Sequence, residues 1–227
     1  FPLISPQKEL IIKNCTTTIT EKTFQLASSR FSILNIVYWN KYLQTEVVPK
    51  LRNGLDLEQD TPFSLHLDKL LVCEQRGVYK LPPPTQSNHF ATLIIILPSV
   101  YDGGEVIINH NEEQTKFDFA ANHDIGYNHY FIGFYSNCGV EMKTITAGEK
   151  VCLIYKIVYT GVGPSPALVD NSEPIKLLRD LYLEWREMLQ TGVRVIPKLL
   201  YFLEEKYTKE TLLFDKLKGR DRVVIFS

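Results

Sequence analysis

Thr92-Leu93-Ile94-Ile95-Ile96-Leu97-Pro98 holds a single polar side chain ahead of its closing proline, and four of its residues are β-branched. Such a run reads as a strand buried on both faces, because β-branched side chains suit a pleated surface and proline ends the hydrogen-bond ladder. Outward from it the same kind of signal repeats. Leu65 to Glu74, Tyr130 to Tyr135 and Lys150 to Tyr159 read as further strands. Gly103-Gly104 turns the chain into Glu105-Val106-Ile107-Ile108, and polar residues Asn109 to Thr115 lead to a short strand over Lys116 to Phe119. Gln75-Arg76-Gly77 is a turn before Val78-Tyr79, and Asn122 to Gly126 is a loop. Short strands separated by turns at this spacing predict a sandwich or barrel. Pro82-Pro83-Pro84 belongs at a rim or in a loop, since proline donates no ladder hydrogen bond and holds the residue before it extended.

The flanks differ in character. Thr23 to Leu34 reads as one or two strands, and Tyr38 to Val48 as an amphipathic helix docked through Tyr42, Val47 and Val48 and ended by Pro49. Asn53-Gly54 closes that segment. After the Pro/Gly-rich break Gly161 to Pro166, Glu173 to Gln190 carries Leu178, Leu181, Trp185 and Met188 at helical spacing, a stripe expected to pack in a core or fill a partner's groove. Val195 to Tyr207 and Glu210 to Leu217 read as shorter helices. The expected organisation is a segment over 1–60 packed on a core over 61–162, with a helical extension over 163–227, all in one globular unit.

Composition narrows the function classes. Hydrophobic residues at 44% and charged residues at 22% are those of a globular chain of 227 residues. A formal charge of −1 gives no electrostatic case for nucleic acid or for a membrane surface. The longest apolar run, Ala91 to Val100, is too short to span a bilayer. The sequence opens on Phe1 and breaks off in the apolar Val223-Val224-Ile225-Phe226, so a fragment of a longer chain is expected, from which targeting signals can be missing. Cys15, Cys73, Cys138 and Cys152 show no paired spacing and are expected as free thiols in a reducing compartment, cytoplasm or nucleus.

The ordered segments Gly-Val-Tyr-Lys (77–80), Thr-Leu-Ile-Ile-Ile-Leu-Pro-Ser (92–99), Gly-Gly-Glu-Val (103–106), Phe-Asp-Phe (117–119), Phe-Tyr-Ser-Asn-Cys (134–138) and Gly-Glu-Lys-Val-Cys-Leu-Ile-Tyr (148–155) together resemble a known family. It is the prolyl-4-hydroxylase-like branch of the 2-oxoglutarate/iron(II) dioxygenases, and the likeness is greatest to uncharacterised, mostly fungal members. It covers residues 62 to 222, with a tail that includes Pro197 to Tyr201 and Phe214 to Gly219. It implies an α+β, mainly β fold: a double-stranded β-helix, or jelly roll, with flanking helices.

The resemblance also implies where iron would sit. The family's His-x-Asp falls on Pro82 and Pro84, its distal histidine on Val140, and its 2-oxoglutarate-binding basic residue on Lys150. Iron of this type needs two imidazoles and a carboxylate on one face. Proline and valine side chains offer no lone pair, so neither iron nor 2-oxoglutarate chemistry is expected. The expectation is a catalytically degenerate domain serving as a protein-binding or scaffold module, its protein or peptide partner inferred by family analogy. The competing expectation is an active Fe(II)/2-oxoglutarate hydroxylase with a displaced triad. His66-Leu67-Asp68 puts an imidazole and a carboxylate on one strand face, and His110 or His129 would be the third ligand. Elsewhere His89 reads as a loop histidine, His123-Asp124 as a turn pair, Cys138 as a small buried group, Glu141 as structural and Glu204-Glu205 as a solvated face.

Overall fold

The structure is a computed structural model that describes residues 5–15, 17–20, 22–86, 88–111, 113–168, 172–191, 202–203 and 208. The chain divides into two units, Phe1–Leu168 and Val169–Ser227. In the second, α4 (Ser172–Gln190) forms where helical spacing predicts it. Leu178, Trp185 and Met188 are half-buried while Leu181 is exposed. The shorter helices expected over 195–207 and 210–217 fall outside the described residues, apart from isolated positions.

The first unit begins with α1 (Ser5–Asn14), a helix the sequence reading did not anticipate. Its strands form two antiparallel sheets. The large one runs β1 (Thr17–Thr20), β2 (Thr23–Ala27), β3 (Phe63–Glu74), β11 (Ile145–Tyr159), β5 (His89–Ile96), β9 (Tyr130–Tyr135), with β6 (Tyr101–Gly103) on the first residues of β11. The small one runs β4 (Tyr79–Lys80), β10 (Gly139–Met142), β7 (Val106–His110), β8 (Glu113–Phe117). From β3 onward the chain passes back and forth between the sheets, β3 to β4 to β5, then the β7–β8 hairpin, then β9 to β10 to β11. That winding is the double-stranded β-helix. The strand β10 was not foreseen, and β8 starts earlier than expected, at Glu113, because the hairpin turns at Asn111, whose φ is 52°.

Two layers of apolar side chains explain why β5 is apolar throughout. Ile94 and Ile96 face the small sheet, with Leu71, Cys73, Cys152 and Ile154 from neighbouring strands and Val140 and Met142 from across the barrel. Leu93 and Ile95 face outward with Leu70, Val72, Val151 and Leu153, and are covered by Leu43, Val47, Leu51 and Leu55. Those covering residues belong to a helical stretch of α2 (Ile36–Tyr42), a π turn (Leu43–Val47) and α3 (Val48–Gly54). Pro49 therefore does not end the helix as expected. It sits in the first turn of α3, where its missing N–H is no loss, and the wider π turn resets the ladder ahead of it. At Gly133 in β9 the sheet comes so close to α3 that an added β-carbon would overlap Leu51 Cδ1.

Candidate functional site

The loop after β4 carries the proline triplet to the mouth of the barrel. Leu81 N–H donates to the Val140 carbonyl at 2.9 Å, which sets Pro82 beside β10. Pro82 and Pro84 line a cavity of about 720 Å³ together with Cys138 and Gly139, the residues leading into Val140. Val140 itself is turned inward and buried, opposite Ile108. The positions that the family resemblance assigns to iron are thus gathered at one end of the barrel, on the loop after β4 and the start of β10.

Across the cavity, the large sheet contributes Phe90, Thr92, Phe134 and Ser136. Thr92 pairs with Phe134 across the β5–β9 ladder, so the alternation that turns Ile94 and Ile132 inward also turns Thr92 and Ser136 inward. His89 Nε2 lies 3.0 Å from Thr92 Oγ1. Burial, and then the Lys156 ammonium, hold the His89 imidazole below its usual pKa. Burial raises the Cys138 thiol, so it is no thiolate nucleophile. Ser136 Oγ is buried with no hydrogen-bond partner. The lining is therefore apolar with a few neutral hydrogen-bonding groups, and Lys80, an exposed residue, is its one charged side chain among the described residues. The sequence reading missed Thr92 and Ser136; counting in twos from Ile94 and Phe134 would have found them.

Deeper between the sheets lies Lys150, fully buried and paired with Cys73 across the β3–β11 ladder. Its Nζ donates to the Gly104 carbonyl at 2.7 Å and stands 5.3 Å from the centroid of the Tyr101 ring. Gly104 has a φ of 67°, a region where side chains are strained. Burial lowers the Lys150 pKa and raises the thiols of Cys73 and Cys152 to about 12 and about 11, so both stay protonated. The hydroxyls of Tyr79 and Tyr101, in the same cluster, are buried without partners. Each of these phenols leaves a donor and an acceptor unmet, while the Lys150 ammonium has the Gly104 carbonyl.

These donor sets answer differently to the two groups that the fold family implies. Lys150 is a cation of the kind that pairs with the distal carboxylate of 2-oxoglutarate, but here its ammonium is wholly buried and bonded to the Gly104 carbonyl. Iron does not fit Pro82, Pro84 and Val140, which have no side-chain donor atom. Among the described residues no group of three or more His, Cys, Asp or Glu could hold a metal.

The displaced triad is not assembled. His66 and Asp68 lie on β3, and His129 precedes β9, with β11 and β5 between them. Three strand spacings are roughly 14 Å, far beyond any shared coordination sphere. Each residue has another occupation. His66 Nε2 lies 2.7 Å from Ser64 Oγ. Asp68 pairs with Lys156 at 2.8 Å and Lys69 at 3.3 Å; burial alone would raise its pKa, and these two ammonium groups bring it below the usual value. His129 Nε2 is hydrogen-bonded to the Tyr42 hydroxyl, and its ring stands edge-on to Tyr42 and Trp39. Among the other histidines, His110 pairs with Glu113 at the end of the β7–β8 hairpin. Asp124 of the His123-Asp124 turn holds the hydroxyl of Tyr130 and the amide of Asn128.

No protein family and no curated protein sequence matches the chain. Solved structures do. An oxidoreductase of the 2OG-Fe(II) oxygenase family from Burkholderia pseudomallei matches at 12% identity and a TM-score of 0.45, over 72% of this chain and 81% of that one. A prolyl-4-hydroxylase from Pseudomonas putida matches at 11% identity and a TM-score of 0.46, over 68% and 82%. A prolyl hydroxylase from Trichoplax adhaerens, in complex with a hypoxia inducible factor oxygen degradation domain peptide fragment, matches at 13% identity and a TM-score of 0.41, over 60% and 63%. At such identities the functional reading depends on this chain's own side chains.

Proposed function

We propose that this domain is a catalytically degenerate relative of the Fe(II)/2-oxoglutarate dioxygenases that works as a polypeptide-binding or scaffold module. The observation that carries the reading is the Leu81 to Val140 hydrogen bond. It supports the alignment of Pro82, Pro84 and Val140 with the iron ligands, and with that alignment no side chain there can coordinate a metal. Oxygen activation in this chemistry belongs to the metal, so its loss removes the reaction and leaves the scaffold.

The mouth cavity supports binding in place of chemistry. Its volume of about 720 Å³ lies in the range of ligand sites, and proline and phenylalanine walls with a few neutral polar groups suit an uncharged side chain of an extended peptide. Ser136, on that wall, holds a buried hydroxyl with an unmet hydrogen bond.

Anaerobic calorimetry with manganese(II), with and without 2-oxoglutarate, tests the loss of iron chemistry. No metal uptake under either condition is expected. Metal binding tightened by 2-oxoglutarate would overturn the reading and restore the active hydroxylase. Binding at the mouth is tested separately: peptides selected by display against the protein should lose roughly tenfold or more in affinity when Ser136→Trp fills the cavity.

A further inference from the structure

The back of the large sheet, away from the barrel interior, carries a second surface. The residues leading into α2 and α2 itself turn apolar side chains both ways. Phe31, Ile33, Trp39 and Tyr42 pack inward on the core. Trp39 Nε1 donates to the Tyr155 hydroxyl at 2.7 Å, and Tyr42 is tied to His129, so the segment is firmly held. Outward stand Leu34, Val37 and Tyr38, at 95%, 75% and 77% exposure, with Ile36 at 44%. On α2, Val37 and Lys41 stand one turn apart with Tyr38 beside them, and Leu34 projects from the turn just before the helix; on a water-facing helix such a face is normally polar.

Charge along the stretch that carries the patch is one-sided. Between Glu21 and Glu46 there is no Asp or Glu, while Arg30 and Lys41 are cationic; Lys22 is paired with Glu74. Arg30 and Lys41 are exposed, one before the apolar residues and one after them. The whole-chain charge of −1 conceals this local asymmetry.

We propose that this patch seats the domain on an anionic bilayer surface. Leu34, Val37 and Tyr38 enter the boundary between headgroups and acyl chains, and Arg30 and Lys41 meet the lipid anions. Three observations favour a bilayer over a folded partner. The side chains project, which suits insertion into a soft phase. Four of them cover much less than the roughly 800 Å² per partner of a stable protein interface. Tyrosine at the edge of an apolar patch, with cations beside it, is the chemistry of the membrane interface. The attachment is peripheral, since no described helix is long and apolar enough to cross a membrane.

The test is co-sedimentation of the full chain with phosphatidylcholine vesicles, with and without phosphatidylserine. The wild type should pellet with the phosphatidylserine vesicles, less so as salt rises. Leu34→Ser with Val37→Ser should weaken binding roughly tenfold or more, and Arg30→Glu with Lys41→Glu should abolish the preference for anionic lipid. Because all four side chains are exposed, circular dichroism should show an unchanged fold. Three results would each overturn the proposal: a wild type that stays in solution with both vesicle types; a double-serine variant that binds like the wild type; or a wild type that self-associates in ultracentrifugation and turns monomeric with the serine pair. The last would make the patch a contact between copies.

Discussion

Tyr79 and Tyr101 bury hydroxyl groups that reach no acceptor, and in the ligand-free chain this costs stability. Tyr79→Phe and Tyr101→Phe should each raise unfolding stability by about 1 kcal/mol in urea titrations. A loss of similar size would show that each hydroxyl has a partner such as water. Lys150 makes a related prediction with a definite sign. Burial depresses its folded pKa, so its contribution to stability is complete above the unfolded value of 10.5 and is lost as pH falls through the folded one. Lys150→Met removes that linkage, and its urea midpoint should gain on the wild type as pH is lowered from 10.5. At this scale the sequence was half legible. The family resemblance, and not the residue types themselves, singled out Pro82, Pro84, Val140 and Lys150. It could not reveal that Gly104 and Tyr101 surround Lys150, because those neighbours come from another part of the chain.

Two of the points at which the helical stretch from α2 to α3 meets the large sheet and its flank are open to test. At Gly133 the added methyl of Gly133→Ala must displace Leu51 in a filled seam. That overpacking should cost about 1–3 kcal/mol, read from the shift in denaturation midpoint. At the other point His129 is held below its usual pKa by burial and then by Lys50. This contact is intact above the unfolded histidine value, about 6.5, and stability should fall as pH drops through the folded one. His129→Gln should flatten the fall, leaving a remainder from His89, which is depressed in the same direction. Apolar spacing around Tyr42, Val47 and Val48 made the helix legible. Its passage through Pro49 was not, since proline ends helices more often than it opens a new one, and only the π turn decides between these outcomes.

For the molecule as a whole, the degenerate reading depends on the register in which Pro82, Pro84 and Val140 stand at the iron-ligand positions. Pro82→His, Pro84→Asp and Val140→His in one chain should create a manganese(II) site that calorimetry detects and the wild type lacks. A folded triple variant that takes up no metal would show the register to be displaced. Strand positions were largely readable from runs such as those in β5 and β11, which are apolar because both faces of the large sheet are covered. Pairing order was not readable from those runs, since every buried strand has much the same composition; the family resemblance implied the jelly roll but no strand order. The observed order has a consequence for synthesis. The strand at the centre of the large sheet, β11, is the last of the eleven to leave the ribosome, and until it arrives β3 and β5 each lack a partner along one edge. A nascent chain, or one truncated before Ile145, therefore holds two open apolar edges, which makes it a substrate for chaperones and prone to aggregate.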